Sequence, residues 1–205
     1  LGNRVDIRSL VITIFILLWA LRLGSYLFLR ILKDKEDRRF KEWKTSFPLF
    51  LRTWTLQGMW IFLTSIAGLT VICSRNIVDP DLYFYFGCGI WVFGFLFESI
   101  SDYQKRKFKI ENPKMFIQTG LWSLSRHPNY FGEIVLWIGI AIIAFPVLEG
   151  AQFVSLISPV FVFWLLTKVS GVPLLEKHAD KTWGKKKDYI KYKEDTPVLF
   201  PKFFK

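Results

Sequence analysis

Hydrophobic residues in this chain come in long, nearly unbroken blocks rather than in the short periodic stretches of a soluble domain. A helix needs about 20 mostly apolar residues to cross the hydrocarbon core of a membrane. Five blocks approach this length, at residues 9–29, 53–73, 82–100, 130–148 and 152–169. The pattern predicts an all-α fold, a polytopic helical membrane bundle forming one domain, with a polar cytoplasmic tail over residues 170–205.

Polar segments between the blocks carry helix signals of their own. Residues 102–110 are expected to extend the third block as a helix that Asn112 and Pro113 end. Pro128 suits the first position of a helix, where a missing N–H is harmless. A short tail helix is predicted over residues 173–182.

The third block contains several small residues. Gly87, Gly89 and Gly94 lie within it, and small side chains let helix backbones approach closely in lipid. Cys73 and Cys88 fall in predicted spans, where they are expected to act as small packing residues rather than as a disulfide or a metal site.

The chain carries a net charge of +11, and its cations are unevenly placed. Alternate connections hold 23 Lys and Arg against 3 in the others. Cytoplasmic loops collect Lys and Arg, so the basic segments are expected inside, in a bacterial inner membrane. They are residues 30–46, 101–127 and 168–205. This distribution makes nucleic-acid binding an unnecessary explanation and favours anionic lipid headgroups or an anionic cofactor.

The chain begins with Leu1 rather than Met, which indicates processing, tagging or truncation. No cleavable signal-peptide pattern precedes the first block, so that block is expected to be a span.

The segment Ser125-Arg126-His127-Pro128-Asn129-Tyr130-Phe131-Gly132-Glu133 opens the fourth block. Asn129 and Glu133 are four residues apart and share a helix face. Arg126 and His127 precede a helix start, where free N–H groups favour anions. The set suits a ligand that combines phosphate with an amide or a sugar. The alternative is an interfacial anchor in which Glu133 pairs with a nearby Lys.

A second set follows helical spacing at the end of the third block: Glu98, Asp102, Lys105, Arg106 and Lys109. Asp102 and Arg106 have the spacing of an intrahelical ion pair. The cations could hold a 2′-phosphate or pyrophosphate. The alternative is a solvated basic flank.

A third set lies in the tail and mixes cations with aromatic rings. It comprises Glu176, Lys177, His178, Asp180, Trp183, Lys187, Tyr189 and Tyr192. An adenine could stack on these rings while the lysines hold its phosphates. A membrane-surface helix with aromatics at the headgroups is the equal alternative. His178 alone indicates no proton-transfer role.

The first block places Arg22, Tyr26 and Arg30 on one face. Arg22 lies in apolar sequence and is expected to face the bundle interior or a cavity. Gln57 in the second block is a further buried polar candidate, and such a residue more often bonds a neighbouring helix than a ligand.

Together these motifs resemble the bacterial membrane family related to steroid 5α-reductases. The resemblance rests on Ser125–Glu133, on Glu98 with Asp102-Tyr103-Gln104-Lys105, and on 170–177, and it covers nearly the whole chain. Arg22-Leu23-Gly24 and Asp37-Arg38-Arg39-Phe40 fit as well. The chain also looks like isoprenylcysteine carboxyl methyltransferases and phospholipid methyltransferases, which share a helical core but use S-adenosylmethionine.

The resemblance implies NADPH-dependent reduction of an electron-poor C=C bond in a lipophilic substrate such as a 3-oxo-Δ4 steroid. It places Asn129 and Glu133 near the nicotinamide. The full set of implied cofactor contacts is Tyr26, Arg30, Glu98, Asp102, Lys105, Arg106, Lys109, Trp122, Arg126, His127, Asn129, Tyr130, Glu133, Glu176, Lys187 and Tyr192. The catalytic residue stays unassigned, with Tyr26, Gln57 and Glu133 as candidates.

Two departures from the related reductases concern the substrate half. Those enzymes polarise the substrate carbonyl with a Tyr and a Glu, but Trp19 stands at the Tyr position and the Glu would precede residue 1. An indole donates a hydrogen bond but passes no proton. The reductases also have about seven spans, so two N-terminal helices are absent here or this family member is shorter. The alternatives are an S-adenosylmethionine-dependent methyltransferase of a lipid or prenylated thiol, and a non-catalytic lipid-binding protein.

Overall fold

The computed structural model describes residues 6–34 and 46–203, except for the side chains of residues 30, 31, 33 and 34. Within these ranges the chain is helical and contains no strand, which confirms the predicted all-α fold. The helices are α1 (Ile7–Asp34), α2 (Phe47–Cys73), α3 (Leu82–Glu111), α4 (Pro128–Ala144), α5 (Ile157–Trp164), α6 (Val172–Trp183) and α7 (Lys187–Asp195).

Five helical stretches are long and apolar enough to cross a membrane, which supports an integral membrane protein. They are Ile7–Leu29, Phe47–Cys73, Leu82–Glu111, Pro128–Val147 and Gly150–Trp183. The first three are regular helices, and the fourth is α4 followed by a 3₁₀ turn over Phe145–Val147. The fifth is composite, because 3₁₀ turns over Gly150–Leu156 precede α5 and a π-helical segment over Leu165–Val169 follows it.

Local signals set several helix ends as predicted. α3 continues to Glu111, beyond the apolar block, and Asn112 caps it. At its other end the Asp81 carboxylate accepts a hydrogen bond from the Phe84 N–H at 2.9 Å, as an N-cap residue does. The predicted tail helix is α6, and Gly184 ends it.

The α3 and α4 backbones touch along a seam of four glycines, two on each helix. Gly87 and Gly94 of α3 face Gly139 and Gly132 of α4, respectively, in antiparallel register. A Cβ at Gly94 would lie 2.5 Å from the Leu136 backbone nitrogen, so no side chain fits. This glycine seam confirms the predicted packing role of Gly87 and Gly94.

The packing predictions for Gly89 and the two cysteines have different outcomes. A Cβ at Gly89 would meet nothing within 4 Å, so the prediction for Gly89 is wrong: it points away from α4. Both cysteines are free thiols. Cys88 packs against the hydrophobic core as predicted, whereas Cys73 is exposed and the prediction for it is wrong.

A fully buried arginine ties the N-terminal end of α1 to the bundle. Arg8 is 0% exposed and donates to the Ile143 carbonyl at 2.7 Å, the Asp79 carbonyl at 3.0 Å and the Asp81 carboxylate at 3.0 Å. It therefore joins α1 to the end of α4 and to the connection before α3. Burial is tolerable for this cation because carbonyl and carboxylate oxygens surround it.

The glycine seam can be tested with Gly94→Ala. The new methyl group would meet backbone rather than a flexible side chain, so the two helices must separate. Overpacking of this kind costs about 1–3 kcal/mol. We expect a clearly lower thermal midpoint for the detergent-purified variant.

Gly89→Ala is the matched control, since it adds the same methyl group to the same helix in open space. It should leave the midpoint unchanged or slightly raised, because Ala favours helix over Gly by about 0.5–1 kcal/mol. Equal losses in the two variants would contradict the seam.

Candidate functional site

A buried ion cluster joins α1 to α3. The Arg22 guanidinium donates to the Asp102 carboxylate at 2.9 Å and makes a close ion pair with Glu98. The Arg22 side chain is only 18% exposed, so its predicted inward orientation is confirmed. The predicted intrahelical pair of Asp102 with Arg106 is wrong, because Asp102 pairs with Arg22 across the helix interface and Arg106 is exposed.

Glu133 of α4 is held by two indole groups. The Trp19 Nε1–H donates to its carboxylate at 3.0 Å, and the Trp137 Nε1–H donates at 2.9 Å. Both indoles are at least nine-tenths buried. The anchor alternative, in which Glu133 pairs with a lysine, is therefore wrong for the described part of the chain.

The glycine seam brings these two acidic groups together. A Cβ at Gly132 would lie 2.6 Å from the Glu98 backbone nitrogen, so Glu98 is level with the residue that precedes Glu133. The two carboxyl groups are therefore close enough to influence each other electrostatically. Glu98, Asp102, Glu133 and Arg22 thus form one group, which we call the acidic cluster.

The start of α4 is attached to the tail through Glu176 of α6. The Arg126 guanidinium donates to one oxygen of Glu176 at 2.7 Å, and His127 Nε2 contacts the other at 2.8 Å. Lys193 of α7 lies 3.6 Å from the same carboxylate. The structure thus unites Arg126, His127 and Glu176, three predicted members of the site.

Beyond α7 the chain folds back over the segment before α4. The Arg126 backbone N–H donates to the Pro197 carbonyl at 2.9 Å, and the Lys202 N–H donates to the Leu124 carbonyl at 2.9 Å. The Ser125 hydroxyl, which is fully buried, donates to the Leu199 carbonyl at 2.8 Å. Sequence carries no signal for this strap, because backbone pairing between distant loops has no residue pattern.

Trp122 and Tyr192 make their polar contacts within the protein. The Tyr192 hydroxyl donates to the Trp122 carbonyl at 2.6 Å, and the Trp122 indole donates to the Ser101 carbonyl at 3.0 Å. Lys105 lies over the Trp122 ring at 4.5 Å. Burial raises the pKa of Tyr192, so this phenol remains a hydrogen-bond donor at neutral pH.

The tail aromatics surround Phe116. Its ring centroid lies 5.9 Å from Trp183, 5.2 Å from Tyr189 and 5.6 Å from Tyr192. Tyr189 is buried and its hydroxyl donates to the Asp180 carboxylate at 3.1 Å. These rings pack on one another on two short helices, α6 and α7.

The remaining predicted cations are exposed. Arg106 and Lys109 lie on the surface at the end of α3, and Lys187 begins α7. No described residue makes an ion pair or hydrogen bond with Arg106 or Lys109. The structure therefore separates these cations from the acidic cluster.

The predicted residues of α1 and α2 have mixed outcomes. Tyr26 is 43% exposed but close enough to Tyr130 to interact with it. Gln57, expected to be buried, is exposed, so that prediction is wrong. The Arg30 side chain and the segment 37–40 lie outside the described residues.

Several buried polar atoms around the start of α4 have no hydrogen-bond partner among the described residues. They include Glu98 Oε2, His127 Nδ1 and Asn129 Oδ1, together with Nε of Arg22 and of Arg126. The Tyr130 ring stacks on His127 with centroids 5.6 Å apart. Buried polar groups are nearly always partnered, so this concentration marks the region as a ligand-binding candidate.

The fold and the acidic cluster define a polytopic helical membrane protein with a buried polar site at one end of its bundle. Residues 1–196 match the family described as "Protein of unknown function (DUF1295)". This match covers most of the chain, and the chain belongs to that family. No curated protein and no solved structure matches it.

The attachment of the tail can be tested with Glu176→Gln. The amide keeps the shape but loses the charge shared by Arg126 and His127, and hydrogen bonds to charged groups contribute about 1.5–3 kcal/mol. We expect faster tryptic cleavage within α6 and α7 in limited proteolysis.

Glu194→Gln provides the control, because Glu194 is an exposed acid on α7. Its cleavage pattern should match that of the parent protein. Identical cleavage of Glu176→Gln and the parent would contradict the attachment.

Proposed function

We propose that the protein is an NADPH-dependent membrane reductase of an enone C=C bond in a lipophilic substrate, such as a 3-oxo-Δ4 steroid or an isoprenoid enone. The observation that carries the proposal is the presence of unpartnered buried atoms on His127 and Asn129, near the start of the helix that bears Glu133. Unpartnered groups of this kind require a polar ligand or water, and the sequence resemblance indicates which ligand.

The buried atoms suit the carboxamide of a nicotinamide. That amide has two N–H donors and a carbonyl acceptor. Asn129 Oδ1 can accept from one N–H, and His127 Nδ1 can accept from the other while Nε2 donates to the Glu176 carboxylate. These residues would bind and orient the ring through groups that the protein itself leaves without partners.

The exposed cations suit the phosphates of the same cofactor. Arg106 and Lys109 are three residues apart on α3 and so share a surface. Arg106 lies about two helical turns beyond Glu98. Charge-assisted bonds to a 2′-phosphate would favour NADPH over NADH. Lys105, which lies over Trp122, is less available for this role.

The buried indoles of Trp19 and Trp137 keep water from the Glu133 side of the site. When bound, NADPH would supply a hydride to the β-carbon of the enone, and a proton would complete the reduction at the α-carbon. A dry site with fixed donors is what a protein contributes to such chemistry. The surrounding membrane would deliver the lipophilic substrate.

The reductase proposal can be tested by ligand binding to the detergent-purified protein. A ligand that binds the native state raises its apparent stability. We expect a larger thermal shift with NADPH than with NADH and none with S-adenosylmethionine. Enone-dependent oxidation of NADPH should accompany the binding.

A double variant, Arg106→Ala with Lys109→Ala, should abolish the preference for NADPH over NADH. Lys107→Ala removes an exposed cation from the same helix and should preserve the preference. A shift with S-adenosylmethionine alone would replace the reductase proposal by the methyltransferase. No shift with any of the three would favour a non-catalytic lipid-binding protein.

We further propose a bacterial inner-membrane location with the basic helix ends inside. Lys and Arg concentrate at the end of the bundle that holds the acidic cluster, as the positive-inside rule expects of the cytoplasmic end. Ile77 lies in the connection between α2 and α3 at the opposite end and is 48% exposed.

Single cysteines can test this topology in a background with Cys73→Ser and Cys88→Ser. In intact cells, a membrane-impermeant maleimide should label Ile77→Cys but spare Lys185→Cys until the cells are lysed. The reverse pattern would invert the proposed orientation.

A further inference from the structure

The acidic cluster holds more carboxyl groups than cations. Within the cluster, the single guanidinium of Arg22 faces the three carboxyl groups of Glu98, Asp102 and Glu133. Lys105, held over Trp122, also interacts with Asp102. If every one of these described groups were ionised, two cations would face three carboxylates, which leaves one excess negative charge among the described side chains. An unpaired charge in the interior is very costly, so one proton would restore balance.

Glu98 is where the excess charge is least tolerated. Its side chain is only 7% exposed. One oxygen, Oε1, faces the Arg22 guanidinium, while Oε2 is buried without a donor from any described residue. A carbonyl oxygen can still accept from a guanidinium after the acid is protonated. Protonation of Oε2 would therefore keep the contact with Arg22 and turn the orphaned acceptor into a donor.

Glu133 is the acceptor that such a donor needs. Its carboxyl group interacts with that of Glu98 and already accepts from the Trp19 and Trp137 indoles. Indole N–H groups only donate, so they stabilise Glu133 as a carboxylate. Two carboxyl groups held this close cannot both ionise easily. The Tyr130 phenol near Glu133 adds no cation.

We infer that Glu98 and Glu133 form a buried acid–carboxylate pair that shares one proton at neutral pH. The pair is a proton-binding site of the membrane bundle, with Glu98 Oε2 carrying the proton and Glu133 receiving its hydrogen bond. This inference does not depend on reductase activity. Only the role of the proton in catalysis rests on the proposed function: if that function holds, the pair is an internal source for the proton that the reduction consumes.

Infrared spectroscopy tests the pair directly, using the full chain in lipid vesicles at neutral pH without nucleotide or substrate. A protonated carboxylic acid has a C=O stretch distinct from carboxylate and amide bands, and this stretch shifts in D₂O. We expect such a band in the parent protein. Glu98→Gln should remove it, and Glu133→Gln should also remove it, because the like charge that keeps Glu98 protonated is then absent.

Two variants serve as controls. Glu111→Gln, an exposed acid at the end of the same helix, should leave the band intact. Glu98→Asp keeps a carboxyl group and should retain a shifted band, which separates loss of the proton from loss of the fold. Absence of the band from the parent protein, or its persistence in both Glu98→Gln and Glu133→Gln, would overturn the inference.

The infrared and reductase results are separable. A band that Glu98→Gln abolishes, in a protein that shows no NADPH-dependent activity, would support the proton site and count against the reductase. Reductase activity in a protein that shows no such band would support the reductase and overturn the shared proton.

Discussion

Contact between the α3 and α4 backbones is the constraint on which the rest of the structure depends. The glycine seam leaves no room for a Cβ at Gly87, Gly94, Gly132 or Gly139, so the relative height of the two helices is determined by steric contact. Lipid supplies little hydrophobic drive for helices to associate, and close backbone packing replaces it. The register that results places Glu98 beside Glu133 and the polar end of α3 level with the start of α4.

Two arginines of α1, Arg8 in its first turn and Arg22 near its middle, differ in how completely their surroundings satisfy them. Arg8 is completely buried, and oxygens of Ile143, Asp79 and Asp81 surround it. Arg22 has two carboxylate partners, yet its Nε and the nearby Glu98 Oε2 remain unpartnered among the described residues. A satisfied buried network serves stability. A network with unpartnered buried atoms can still form hydrogen bonds, and a ligand site requires such atoms.

The sequence predicts the spans well because membrane crossing depends on length and apolarity, both of which are local. It also predicts the extension of α3 and the end of α6, where Asn112 and Gly184 act locally. The composite structure of the fifth span is harder to predict from sequence, since 3₁₀ and π segments share the composition of an α-helix.

Side-chain partners are harder to predict because they depend on neighbouring helices. Spacing alone pairs Asp102 with Arg106, but Arg22 lies across the interface and is more deeply buried. Ion pairs strengthen as the local dielectric falls, so the cross-helix partner prevails over the exposed intrahelical one. Gln57 and Gly89 illustrate the same limit: their types indicate a contact, but Gln57 lies in a stretch of α2 that is exposed all round, and a Cβ at Gly89 would meet nothing within 4 Å.

Trp19 limits which side chains near Glu133 can act as acids or bases. Its indole N–H donates to the Glu133 carboxylate at 3.0 Å. Since an indole cannot release a proton to a substrate at neutral pH, residue 19 can orient and stabilise a carboxylate but cannot act as an acid. A proton handled by this region would therefore come from the carboxyl groups, from the His127 imidazole or from a neighbouring phenol. The glycine seam holds Glu98 close to Glu133, which is the arrangement that the proposed proton sharing requires.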